Sequence, residues 1–214
     1  MFVDRVRPLI LILVLAIWRL DGGEAAAPVA DFQKRFIAGA GGELTTVQGD
    51  FRQLRRLGDL GVELKITGEF AFDRGGGRLL WSVREPLRYV VMIDDSGLVQ
   101  WDADSGVATR LAADRLPWLR AMRELLAASF AADIERLDGD FALQVRDERT
   151  LVLTPASELF RQLLESIEVT CAVDFSRIER VVISEPGGDR VTIDFSAVRI
   201  NETIPEETWR VPEG

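Results

Sequence analysis

Residues 68–86, GEFAFDRGGGRLLWSVREP, read as two β-strands joined by a glycine turn. Successive side chains of a strand point to opposite faces. Phe70 and Phe72 therefore share one face, and Glu69, Ala71 and Asp73 take the other. Gly75-Gly76-Gly77 gives the backbone freedom to reverse. In the second strand Leu79, Trp81 and Val83 share a face, while Arg78, Ser82 and Arg84 point away. Pro86 ends the pairing because it has no N–H for a ladder. A hairpin this rich in large apolar groups needs that face covered, either by core packing or by an apolar ligand.

Outward from the hairpin the same pattern continues. Thr45 to Leu57 reads as a preceding strand, placing Phe51 on one face, and Val62 to Asp73 as the next. Tyr89 to Ile93 is a continuous apolar strand, and Leu98 to Trp101 another after the turn at Asp94–Gly97. Strands resume at Phe141–Arg146, Leu151–Thr154, Ser166–Val173, Ile178–Glu185 and Asp189–Ile200. Three helical pieces interrupt them. Val29 to Ala40 carries Val29, Phe32, Phe36 and Ala40 at helical spacing. From Ala113 to about Leu137, Leu119, Met122, Leu126 and Phe130 form one stripe with Trp118 beside it, and Pro117 suits a first turn. Glu158 to Glu165 bears Leu159, Phe160, Leu163 and Leu164.

These elements predict an α+β chain: about ten antiparallel strands in a curling meander, covered by helices. A curled sheet with an apolar inner face either fills its interior with side chains or holds a ligand. Candidates for the inner lining are Phe51, Phe70, Phe72, Leu79, Trp81, Trp101, Trp118, Leu119, Met122, Leu126, Phe130 and Phe160.

Composition removes whole classes of chemistry. The chain has 214 residues, enough for one large domain or two small ones. Its formal net charge of -9 argues against nucleic acid as a partner, because phosphate binding needs a basic surface. There is no histidine, which excludes Ser-His-Asp and Cys-His catalysis and every His-ligated metal site. Cys171 is the single cysteine, so no internal disulfide can form, and its alternating context makes it a core residue. Asp102-Ala103-Asp104-Ser105-Gly106 begins like a calcium loop, but Ala113 stands where the closing Glu would be, so a hairpin turn is expected. No cofactor and no metal are expected.

The N-terminus reads as a targeting segment over residues 1–27. Arg5 and Arg7 precede an apolar run from Pro8 to Trp18, of signal-peptide length and short for a bilayer span. Ala25-Ala26-Ala27 follows, although Pro28 is a poor residue directly after a cut. No cysteine lies nearby to carry a lipid anchor. The expectation is an exported, soluble chain of residues 28–214, acting as a monomer.

The order of these motifs resembles the outer-membrane lipoprotein carrier family, the LolA-like proteins. The residues that carry it are Phe51-Arg52-Gln53, Gly68-Glu69-Phe70, Arg74, Leu79-Leu80-Trp81, Glu85-Pro86, and Asp94-Asp95-Ser96-Gly97 leading to Trp101. Gly188 to Phe195 is similar to a subgroup of these carriers. The resemblance spans roughly residues 29–212. It implies an incomplete antiparallel barrel closed by helices, with an apolar cavity. That cavity would take lipoprotein acyl chains from an inner-membrane ABC-type exporter and carry them across the periplasm to an outer-membrane acceptor. It also implies that Arg74 latches a helical lid. Family members have Arg-Pro there, whereas Gly75 follows Arg74 in this chain and one residue is inserted before Trp81, the mark of a divergent paralogue. Two rival readings differ in kind: a sensor or interaction module on the same fold, and an enzyme acting on lipid or glycan. The missing histidine counts against the enzyme.

Overall fold

Alternation along residues 46–57 (TVQGDFRQLRRL) buries Val47, Phe51, Gln53 and Arg55 on one face and leaves Arg52 and Arg56 in solvent. That strand, β1 (Thr46–Leu57), is the centre of the molecule. The computed structural model describes residues 27–42, 44–58, 60–112 and 141–212. The segment read as a signal peptide lies outside these residues apart from Ala27, and so does the helical stretch carrying Trp118, Leu119, Met122, Leu126 and Phe130.

The remaining elements follow in order. Helix α1 (Ala27–Gly39) comes first, and β1 is followed by β2 (Val62–Asp73), β3 (Arg78–Glu85), β4 (Tyr89–Asp94), β5 (Gly97–Asp102) and β6 (Val107–Ala112). Then come β7 (Phe141–Asp147), β8 (Thr150–Pro155), the short helix α2 (Glu158–Arg161), β9 (Ser166–Cys171), β10 (Ile178–Ser184) and β11 (Arg190–Ile200). A 3-10 turn at Glu206–Trp209 ends the described chain. All eleven strands form one open antiparallel sheet, in the order β6-β5-β4-β3-β2-β1-β11-β10-β9-β8-β7. Strands β1 to β6 make one meander and β7 to β11 another. Pairing of β1 with β11, Phe51 opposite Phe195, joins the two.

The sheet thus has one strand more than the alternation predicts. The addition is β6, whose sequence VATRLA mixes exposed and half-buried positions with little contrast between faces. As an edge strand it packs on one side only, so its pattern is weak. The helix expected over Glu158–Glu165 forms only a single turn, and Leu164 is buried in the loop that follows it.

One face of the sheet carries the main core. Its buried members run from Phe70, Phe72, Leu79 and Trp81 through Ile193, Val181 and Ile167 to Leu151 and Phe141. Helix α1 lays Val29, Phe32 and Phe36 on the β7–β10 half of that face. Gly39 lets it sit close: a Cβ there would meet the Phe175 carbonyl at 2.6 Å. The ring of Phe32 meets that of Phe175 edge-on at 5.5 Å, and the Arg35 guanidinium lies over the latter ring. Cys171 is buried in this half, and burial pushes its thiol pKa up to about 12, so it stays an inert thiol.

A smaller apolar cluster lies on the opposite face, where Ala71 and Leu80 are covered by Trp209 of the C-terminal turn. Arg78 holds that turn down. Its guanidinium stacks 4.5 Å from the Trp209 ring and bonds Asp73 at 2.9 Å and Glu206 at 2.8 Å.

Candidate cargo-binding face

The inner face of β1, β2 and β3 is built around one aromatic stack. Phe51 and Trp81 lie nearly parallel with ring centroids 3.7 Å apart, although they sit on β1 and β3 with β2 between them. Gly68 makes this possible. It is the β2 residue opposite both Phe51 and Val83, and an added Cβ would come within 2.5 Å of the Phe51 ring as well as striking the Ser82 carbonyl. The Phe51 ring therefore crosses β2 over a glycine. Phe70 borders the stack at 6.2 Å from Trp81 and meets Phe195 edge-on at 5.1 Å. Phe72 and Leu79 pair across β2 and β3 and extend the face toward the Gly75–Gly77 turn.

Five residues of the predicted lining, Phe51, Phe70, Phe72, Leu79 and Trp81, thus come together on one face. Phe160 joins the same core on its far half, packing 4.9 Å from Phe141. Trp101 does not join them. The register pairs it with Val90, and Val90 with Ser82, which places it on the face opposite Trp81. The length of the β4–β5 reversal at Asp94–Gly97 sets this phase, and a motif order cannot reveal it. Arg74 follows β2 in the turn, half-buried, with its N–H donating to the Thr45 carbonyl at 2.9 Å.

The inner face also holds polar residues that motif reading passes over. Gln53 and Arg55 continue the Phe51 face of β1. Arg55 Nη2 donates to Glu185 at 2.8 Å and reaches Asp189 at 3.5 Å. Asp189 also accepts from the Gly58 N–H, tying the β1 end to the β10–β11 turn. Burial pushes the Tyr89 hydroxyl pKa up to about 12, with the Arg55 charge working against that rise. Gln53 Oε1 and Trp81 Nε1 are buried and make no hydrogen bond among the described residues. The visible signal is the run Phe51-x-Gln53-x-Arg55, which puts two polar groups in phase with a core aromatic.

Elsewhere carboxylates pair with arginines across strands, as Glu168 does with Arg146, or serve their own turns. Asp102 Oδ1 accepts from the N–H groups of Asp104 and Ser105, a hairpin-turn role as expected. Among the described residues no group of three His, Cys, Asp or Glu side chains is placed to hold a metal ion, and no helix is long and apolar enough to cross a membrane. What this face offers chemically is a continuous aromatic and aliphatic surface with a few inward polar atoms.

The family model for the outer membrane lipoprotein carrier protein LolA matches residues 42–211. The chain belongs to the LolA family. Within it, an outer-membrane lipoprotein carrier protein of Chromohalobacter salexigens is 28% identical over 191 residues, covering 86% of this chain and 77% of that one. Another, from Pseudomonas putida, is 25% identical over 177 residues, covering 79% and 78%. These low identities fit a divergent LolA-like paralogue. Among solved structures, an uncharacterized conserved protein of Thermus thermophilus shares the fold, with TM-score 0.50 at 10% identity over 86% of this chain and 94% of that one.

Proposed function

We propose that this LolA-family chain is a periplasmic carrier, exported by a cleaved N-terminal signal peptide. It binds the acyl chains of lipoproteins or related lipids against the inner face of its curved sheet and shuttles them toward the outer membrane. An inner-membrane ABC-type exporter would load it and an outer-membrane acceptor would unload it. It works as a monomer, with binding rather than catalysis as its task. The observation that carries this reading is the Phe51–Trp81 stack over Gly68, continuous with Phe70, Phe72 and Leu79. A core needs only volume filled. A flat aromatic floor also offers a surface along which a flexible chain can lie in many registers.

Arg74, at the β2–β3 turn beside this floor, is proposed to govern release. Arg74→Leu is expected to load acyl cargo as the unaltered chain does but to pass it poorly to an acceptor. Equal loading and equal transfer would remove Arg74 from the mechanism. The carrier reading itself is tested by native mass spectrometry of the protein purified from its own envelope. Acylated species should ride with it and be reduced in Trp81→Ala. A chain that carries no acylated molecule, freshly extracted, contradicts the reading.

A further inference from the structure

Six of the seven large apolar side chains exposed among the described residues lie at one end of the sheet. They are Leu60, Val62, Leu64, Leu87, Val107 and Leu163, borne by four connections and the strand ends beside them: β1–β2, β3–β4, β5–β6 and α2–β9. Antiparallel alternation puts all four at the end where β1 finishes. The seventh, Val173 at 80% exposure, sits in the β9–β10 turn at the other end. Exposed apolar groups gathered in this way mark an interaction surface.

The β1–β2 hairpin leads this end. Strand β3 leaves β2 at Thr67, which pairs with Glu85, so Val62 to Ile66 are flanked by β1 alone. Val62, Leu64 and Ile66 stand on the same face of β2 as Phe70 and Phe72, because no bulge interrupts the β1–β2 register. That face emerges gradually into solvent: Phe70 is 3% exposed, Leu64 42%, and Leu60 at the tip 71%. Along β2 the apolar side chains thus run from the proposed cargo floor to the hairpin tip, with Gln53 and Arg55 of β1 opposite Ile66 and Leu64.

We infer that this hairpin tip docks the chain on a lipid bilayer, inserting Leu60, Val62 and Leu64 into the acyl boundary. The inference goes beyond the carrier reading by naming the surface that meets the membrane. Two features favour a bilayer over a protein partner. The exposed groups are aliphatic and spread over separate connections rather than lining one groove. Along β2 their face is continuous with the floor proposed for acyl chains, so a chain leaving the bilayer has an apolar row to follow. The charges do not oppose it: although the chain carries -9 overall, the tip is balanced, with Arg56 and Lys65 against Asp59 and Glu63, while Arg55 is tied inward to Glu185 and Asp189. Arg56 and Lys65 are interspersed with the aliphatics, and long cationic side chains lie along hydrocarbon while their heads stay among headgroups. Insertion of this kind scales with buried apolar area and needs no anionic lipid.

The test uses the full chain with one reporter. Leu60→Cys, labelled with an environment-sensitive fluorophore, is mixed with phosphatidylcholine vesicles, with and without brominated acyl chains. Cys171 is buried and does not compete for label. A blue shift at position 60, with quenching by the brominated lipid, is expected, and neither at Val173→Cys. Adding Val62→Thr and Leu64→Thr should cut the quenching at position 60 at least tenfold while acyl-probe loading stays unchanged. Three results overturn the inference: no quenching at position 60, equal quenching at 60 and 173, or a blue shift that rises with protein concentration in the absence of vesicles, which would make a second copy the occupant. Acyl loading, read in the same samples, stands or falls separately.

Discussion

Gly68 illustrates how one residue can set the character of the proposed cargo face. The Phe51 ring occupies the space where any other residue would carry a Cβ. Gly68→Ala forces that ring off Trp81 or moves the neighbouring strand, and overpacking of this kind costs about 1–3 kcal/mol. For a chain of this size each kcal/mol lowers Tm by about 2–4 °C, so a fall of about 2–12 °C is expected by scanning calorimetry, with changed tryptophan fluorescence. An unchanged Tm would mean that the ring has room to spare. Tyr89 gives a second handle, being the sole tyrosine. Burial raises its folded pKa to about 12 from an ordinary value of about 10. The unfolded chain therefore loses this proton first. Its contribution to stability is complete below pH about 10 and is lost as pH rises toward about 12. Ultraviolet titration of tyrosinate should show a midpoint near 12 in the folded chain and near 10 in denaturant. The apolar half of the face is legible in the sequence, because period-two alternation alone places Phe51, Phe70, Phe72, Leu79 and Trp81. The polar half is not: Arg55 finds Glu185 and Asp189 across a sequence separation that no local pattern spans.

At the scale of elements, the C-terminal turn is held mainly by Arg78. Burial by itself would raise the Asp73 carboxyl, but the bond from Arg78 and the Gly76 amide hold it below its ordinary value. Its share of the stability is therefore present above pH about 4, the unfolded value, and lost as pH falls through the lower folded value. Arg78→Ala removes the stack on Trp209 together with two carboxylate bonds. A loss of about 1–3 kcal/mol, in the range for bonds to charged groups, should appear in urea unfolding, and most of it should vanish when the comparison is repeated at a pH below the folded value of Asp73. A pH-independent loss would assign the effect to the ring stack alone. Trp209 is easy to overlook because it stands alone in a polar tail, whereas strand pairs announce themselves by repetition. Strand β6 escapes a sequence reading for a different reason: its VATRLA has no clean alternation, and an edge strand half in solvent shows too little contrast between faces. Trp101 falls on the face opposite the predicted one because motif order carries no information about turn phase.

At the scale of the molecule, the eleven strands run β1 beside β11 at the centre and end at β6 and β7. Both edges are thus set by the middle of the sequence, and the chain's two halves meet through its first and last strands. The inner face of this single sheet carries the buried core along its length, with α1 packed on the β7–β10 half. The central claim is that the other half receives hydrocarbon. Its most direct measurement is a calorimetric titration with a homologous series of fatty-acyl probes. Each added CH₂ buried should contribute about 0.8 kcal/mol, roughly a fourfold gain in affinity per carbon until the face is filled, with a negative heat-capacity change. Affinity that does not vary with acyl length, or an absence of binding at every length, would contradict it.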